Sequence, residues 1–396
     1  MSLTHSVFND ESKLDINYIP AKLPHREKEQ RLLGAFFNFI LQCPGKMSQR
    51  VILVGDVGTG KTALAKNFGA DLVSQTKRKN LKFHYIHINC REFRGSLQPI
   101  LHKIVTTFCS NYPARGYAAD EILATLIQVI EEEEIHLLVT LDEFDSLIQK
   151  EGSDAVYKLT RIHETRQDKP QRLSFLFILR DLKATECLDD STKSTLQQNI
   201  VRLERYGKFQ LMDILDARVV LAFKSGAVEE DVVDLVAELA YSETGNARFG
   251  IELLWRAGKY ADASEFDQVR AECIRSAVSA IIPTVRRSEL VSLGFHEKLF
   301  LLALARHFRD NTEAYIQIGE AEKAYGVVCE EYDESPKSHT QIWLYVQYLS
   351  KLGVLKAEVG AAEVRGRTNR LSLPSIPAAE LEQVMQHSLH EAKGEL

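Results

Sequence analysis

The run Gly55-Asp56-Val57-Gly58-Thr59-Gly60-Lys61-Thr62 fits the pattern GxxxxGK[ST] and constrains the fold more than any other segment. Before it lies a short apolar run, Arg50 to Val54; after it, Thr62 to about Thr76 carries helical periodicity. Strand, glycine-rich turn and helix in that order wrap backbone amides around a phosphate, and the helix N-terminus adds a favourable dipole. In such a loop Lys61 reaches the β- and γ-phosphates, the Thr62 hydroxyl ligates magnesium, and Ala63, next in the chain, is a further expected nucleotide-binding position. A turn that merely precedes a helix would meet the spacing without the chemistry.

A phosphate-binding loop of this kind calls for acidic residues on a neighbouring strand, one to orient magnesium and one to activate water. Leu137-Leu138-Val139-Thr140-Leu141-Asp142-Glu143 supplies both: Asp142 at the end of an apolar strand, as metal ligand, and Glu143 next to it, as general base. An acidic strand end that only caps the next turn is the plainer alternative. Phe83 to Asn89 and Leu173 to Leu179 read as further strands, with helices at about 97–108 and 120–134 between them. Continuous apolar strands alternating with helices predict a parallel sheet buried on both faces.

From about Tyr206 the texture changes to successive helical patterns without strands, and from about Ser288 to three helices followed by two short strands around a polar loop. The predicted architecture is an α/β P-loop (AAA+) domain with a parallel sheet over 1–205, a small all-helical lid over 206–285 and a winged-helix domain over 286–396. A chain of 396 residues is long enough for several cores. No apolar run is long enough to span a bilayer and the first residues lack a secretory pattern, so no membrane partner is expected and the cytoplasm is the expected compartment. Six cysteines without a CxxC pair argue against a zinc site, and a net charge of -6 argues against indiscriminate coating of nucleic acid.

The segment Leu23-Pro24-His25-Arg26-Glu27, the P-loop, Leu141 to Leu147 (LDEFDSL) and Gly245-Asn246-Ala247-Arg248 occur in the order and spacing of archaeal origin-recognition/Cdc-type replication initiators, and nearly the whole chain resembles that family. The resemblance implies ATP between base and lid, with Pro24, His25 and Arg26 lining the adenine side, Tyr206 as a further nucleotide-binding residue at the base–lid boundary, and Arg248 touching the phosphates as a sensor. It also implies binding of double-stranded origin DNA and recruitment of the replicative helicase. Two alternatives stay open: His25 and Arg26 could cap the neighbouring helix, and Arg248 could simply pair with Glu252.

The chain departs from the family twice. Arg180 stands where relatives carry a polar sensor, usually asparagine, after the fourth strand; it would bind the γ-phosphate strongly and misplace the attacking water. Between Leu188 and Thr195, where relatives carry an arginine that acts on a neighbouring subunit, only Lys193 is present. Slow hydrolysis and long-lived nucleotide are expected, with ATP and ADP exchanging as a switch and a paralogous subunit able to supply the missing group. In the winged helix, Lys337, His339, Thr340 and Gln341 form the expected reading face, with Ser338 and Tyr345, and Arg365, Arg367 and Arg370 form a basic wing. A signalling ATPase whose winged helix binds protein is the rival reading; a processive motor is disfavoured by the two departures.

Overall fold

The apolar runs on either side of the P-loop pair as predicted, and a fifth strand joins them. The computed structural model describes residues 6–162, 169–243, 245–281, 290–311, 313–360, 368–374 and 376–393. These separate into two compact units, one made of Ile19–Tyr206 and one made of the described residues of 1–18 and 207–396.

The first unit holds β1 (Arg50–Gly55), β2 (Phe83–Asn89), β3 (His136–Asp142), β4 (Leu173–Leu179) and β5 (Ile200–Leu203) in the order β2-β3-β4-β1-β5. Every neighbouring pair is parallel. Side chains of β1 alternate between two cores: Ile52 and Val54 face one side of the sheet, Val51 and Leu53 the other. The second side is covered by α1 (Glu27–Phe37), the short α2 (Phe39–Gln42) and α3 (Lys61–Arg78). The first side is covered by α4 (Leu97–Val105), α5 (Ala119–Glu132), α6 (Asp145–Thr160) and α7 (Asp190–Leu196). Because β4 lies between β1 and β3, the segments leaving these three strands emerge side by side at one sheet edge. That edge carries the P-loop, Arg180 and the Asp142-Glu143 pair.

The second unit begins with α8 (Lys208–Ala222), α9 (Glu230–Ser242), α10 (Ala247–Ala263) and α11 (Ala271–Ile281). Residues 6–18, expected in the base, pack here instead. Phe8 stacks on Phe223 at 4.9 Å between ring centroids, and the Val7 amide donates to Asp262 at 2.7 Å. Nothing in the polar opening of the chain signals this attachment, since its apolar contacts are single residues.

The winged helix comprises α12 (Phe295–Asp310), α13 (Ile318–Glu331) and α14 (His339–Lys351), with β6 (Ile316–Gln317), β7 (Lys356–Gly360) and β8 (Thr368–Ser372) in an antiparallel sheet ordered β6-β8-β7. Gly353, at φ 73, ends α14 in the left-handed conformation that suits glycine. A further helix, α15 (Ala378–Lys393), packs on α12 around one apolar core.

Lid and winged helix are joined by polar contacts within this unit. Lys208, Asp234 and Glu238 of the lid meet Tyr315, Lys356, Glu358 and Arg370 of the winged helix. Lys208 lies 2.8 Å from Asp234, Arg370 lies 2.9 Å from Asp234, and the Tyr315 hydroxyl donates to Asp234 and Glu238 at 3.0 Å each. Lys356 pairs with Glu238 and with Glu358. Arg275 of α11, 1% exposed, donates to the carbonyls of Leu373 and Ala314 and lies over the Phe308 ring at 4.5 Å. Among the described residues no helix is long and apolar enough to cross a membrane.

Candidate functional site

Gly58 (φ 79) and Gly60 (φ 86) hold the left-handed conformations that turn the loop's amides inward, and a Cβ on Gly55 would lie 2.6 Å from the Leu203 carbonyl oxygen. The loop therefore tolerates no side chain where it passes β5. Inside it, the Thr59 hydroxyl donates to the Asp56 carbonyl at 2.8 Å, and Lys61 Nζ donates to the carbonyls of Gly55 and Asp56 at 2.6 and 2.7 Å. The Asp56 carboxylate, at the loop's outer edge, pairs with Arg205 at 2.6 Å.

Thr62 and Asp142, 80 positions apart in sequence, meet: the Thr62 hydroxyl donates to Asp142 Oδ2 at 2.6 Å. Two hard oxygen donors at the foot of a phosphate loop suit magnesium, which takes one or two protein oxygens and completes its shell with phosphate and water. His87 of β2 adds Nε2 at 3.3 Å to the same Asp142 oxygen, and the Glu143 amide donates to Oδ1 at 2.8 Å. Burial pushes the Asp142 carboxyl up, but the hydrogen bonds from His87 and Thr62, the charge of His87 and the Glu143 amide outweigh it, and the group stays below its ordinary value.

Glu143 has φ 50, a conformation costly for a residue with a Cβ, and it stands where the chain leaves β3 and turns into α6. Arg180 follows the last residue of β4; its amide donates to Asp145 Oδ1 at 2.9 Å and its side chain is exposed. Burial raises the Asp145 carboxyl above its ordinary value, against the opposing pull of that amide and of Lys61.

Sequence reasoning placed Arg26 on the adenine side or at a helix cap, and the structure gives its guanidinium another task. Arg26 is 3% exposed and donates to the Thr59 carbonyl at 3.1 and 3.2 Å and to the Glu204 carbonyl at 2.7 Å. It lies over the Tyr206 ring at 3.9 Å, while the Tyr206 hydroxyl sits 3.1 Å from where a Cβ of Gly60 would be. Arg26 occupies the N-cap position of α1 but makes no side-chain cap bond. Pro24 is half-buried beside it, and His25 adopts φ 62. The contact of His87 with Asp142 was missed; its one signal was that Tyr85 and His87 share a face of a strand beside the acidic one.

Arg248 belongs to the other unit, exposed in the first turn of α10, where the Asn246 side chain caps the helix by accepting from the amides of Arg248 and Phe249. Glu252, the alternative partner, pairs instead with Arg256 at 2.8 Å. In the winged helix, Lys337 and Thr340 are exposed and Gln341 is half-buried, whereas His339 is engaged by Glu322. Arg370, expected on an open wing, is committed to Asp234, to Glu358 at 3.4 Å and to the Tyr315 ring at 3.9 Å. Side chains alternate along β8, so with Leu371 buried in the winged-helix core Arg370 leaves the strand on the other face, where Asp234 lies. Arg365 and Arg367 lie outside the described residues.

Three family models match: "AAA domain" over residues 47–188, "Cdc6 AAA+ ATPase-type lid domain" over 212–279 and "CDC6, C terminal winged helix domain" over 288–383. ORC1-type DNA replication protein 2 of Sulfolobus acidocaldarius is 33% identical over 376 residues, covering 93% of this chain and 90% of that one. ORC1-type DNA replication protein of Thermococcus kodakarensis is 31% identical over 94% of this chain and 89% of its own. Among solved structures, Cdc6p from Pyrobaculum aerophilum aligns with TM-score 0.83 at 25% identity over 98% of this chain and all of that one (100%). The Aeropyrum pernix ORC1 protein in complex with DNA aligns with TM-score 0.63 at 27% identity over 98% of this chain and 99% of that one.

Proposed function

The chain belongs to the ORC1/Cdc6-type family of DNA replication initiators, and from that premise we propose that it binds origin DNA under the control of bound ATP or ADP and helps recruit the replicative helicase. The observation that carries the nucleotide half is the 2.6 Å bond between Thr62 and Asp142 at the foot of the P-loop. The solved Aeropyrum pernix ORC2 protein with ADPNP and ADP, at 27% identity, supports the same reading.

In this reading the loop amides and Lys61 hold the phosphates, and Thr62 and Asp142 would hold magnesium, which would supply positive charge to neutralise the phosphates. Glu143 accepts the proton of the attacking water, and Arg180 grips the γ-phosphate side of the site with a full charge where a neutral amide would leave the water freer. Hydrolysis is therefore slow and serves as a timer. Arg248 supplies the lid's cation: at a helix N-terminus its charge gains nothing from its own helix dipole, so an anion is the better partner for it.

The test is selection of bound duplexes from a random DNA pool by the full chain, with ATP and magnesium and again with ADP. Enrichment of a defined duplex motif that differs in strength between the two nucleotides is expected. No enrichment in either state would overturn the reading and favour a winged helix that binds protein.

A further inference from the structure

The outward face of α14 keeps Thr340 and Gln341 from the expected reading face and adds residues further along the helix. Ile342, Val346 and Leu349 are buried in the winged-helix core. The opposite stripe, at helical spacing, consists of Thr340, Leu344, Gln347, Tyr348 and Lys351, all exposed, with Gln341 half-buried beside it. Leu344 is 51% exposed and Tyr348 47%. Isolated apolar side chains on a surface are ordinary, but two on the outward face of a winged-helix third helix lie on the face expected to meet DNA.

The chemistry of this stripe is specific in what it offers and what it omits. In the major groove, guanine is read most often by arginine or lysine, adenine by the paired donor and acceptor of a glutamine or asparagine amide, and thymine by apolar contact with its C5-methyl group. The stripe has two amides, an exposed aliphatic group and a threonine methyl, and no arginine. Its lysines stand at the ends: Lys337 just before the helix and Lys351 at its last turn, both exposed. Fourteen residues at helical rise separate them by about 20 Å, a spacing suited to phosphates on either side of a groove about 12 Å wide. The flanking cations and the amides favour DNA over an apolar protein surface as the occupant.

We propose that α14 selects A·T base pairs, with Leu344 packed against thymine methyl groups and Gln341 and Gln347 bonded to adenine edges. The proposal rests on the DNA-binding reading above and assigns the chemistry by which that binding becomes selective.

Full-length protein with ATP and magnesium is used to select duplexes from a random pool, and the enriched duplex is then remade with uracil in place of thymine, which removes only the methyl groups. Binding of the parent protein should fall about tenfold, equivalent to about 1.4 kcal/mol. Leu344→Ala should bind the two duplexes equally, and Gln341→Ala should lose discrimination against 7-deazaadenine, which lacks the N7 acceptor. Both substitutions sit on exposed or half-exposed positions, and unchanged melting temperatures confirm folding. Equal binding of thymine and uracil duplexes by the parent, retained discrimination in Leu344→Ala, or an enriched motif of G·C pairs would each overturn the assignment while leaving DNA binding intact. Failure of the parent to enrich any duplex would sink the DNA-binding reading and this inference with it.

Discussion

Replacing Arg26 by methionine deletes no phosphate ligand, yet it should weaken nucleotide binding. The guanidinium makes three hydrogen bonds to the carbonyls of Thr59 and Glu204 and a longer one of 3.4 Å to that of His25, and lies over the Tyr206 ring. Hydrogen bonds from a charged donor contribute about 1.5–3 kcal/mol each, and a buried carbonyl left without a donor costs about 1–3 kcal/mol. A cation over an aromatic ring adds about 0.5–2 kcal/mol. These terms overlap, and the loop can relax until the Thr59 carbonyl meets water, so a net loss of about 3 kcal/mol is expected. Relaxation moves the amides that a phosphate needs, so roughly 2 kcal/mol of that loss should appear as a rise of about thirtyfold in Kd. The assay is titration of the full chain with a fluorescent ADP analogue in the presence of magnesium, alongside a thermal melt. Arg26→Lys, whose point charge serves one carbonyl rather than two, should fall between parent and methionine variant. A Kd within twofold of the parent would refute the strut argument. A change confined to the preference for adenine over guanine nucleotides would return Arg26 to the base-lining role that the sequence suggested.

Asp142→Asn should keep nucleotide affinity in EDTA close to the parent's and abolish its gain on adding magnesium; a preserved magnesium response would remove Asp142 from the metal site. Acidification should destabilise the base through His136, whose Nε2 accepts from Arg172 at 3.0 Å and so is held neutral. Burial first, and the Arg172 charge second, depress it from 6.5 to about 4, so the unfolded chain takes up this proton first and stability falls as pH drops through that window. The melting temperature of His136→Gln should accordingly depend less steeply on pH between those values; an equal slope would assign the effect elsewhere. Asp234→Asn removes the nearer carboxylate shared by Arg370 and Lys208, leaving them Glu358 at 3.4 and 3.8 Å, and should split the lid and winged helix into separate calorimetric transitions, more clearly at low salt. A single unshifted transition would show that the apolar contacts and Arg275 suffice.

The parallel sheet and the P-loop were legible because each announces itself locally: unbroken apolar runs for strands buried on both faces, glycines and a Lys-Thr pair for the loop. β5 was not, since Ile200–Leu203 is four residues long and interrupted by Arg202. The meeting of Thr62 with Asp142 could be inferred from motif chemistry, whereas the contact of His87 with Asp142 depends on which strands become neighbours, and spacing along the chain carries no such information. The same holds for the wing. Arg370 reads as a free cation beside Arg365 and Arg367 until the fold sets Asp234 within reach. On α14, the sequence indicated a helix but not its rotation, so the N-terminal residues were favoured over Leu344, Gln347 and Tyr348, which the packing of Ile342, Val346 and Leu349 turns outward.

The charged seam around Asp234 and the buried Arg275 have a consequence for how a duplex is met. A reading head on a slack tether would have to be immobilised at each encounter, at a cost in entropy that weakens every complex alike. Here the third helix is already oriented with respect to the lid, so any dependence of DNA affinity on the bound nucleotide must act on lid and head together, as one piece.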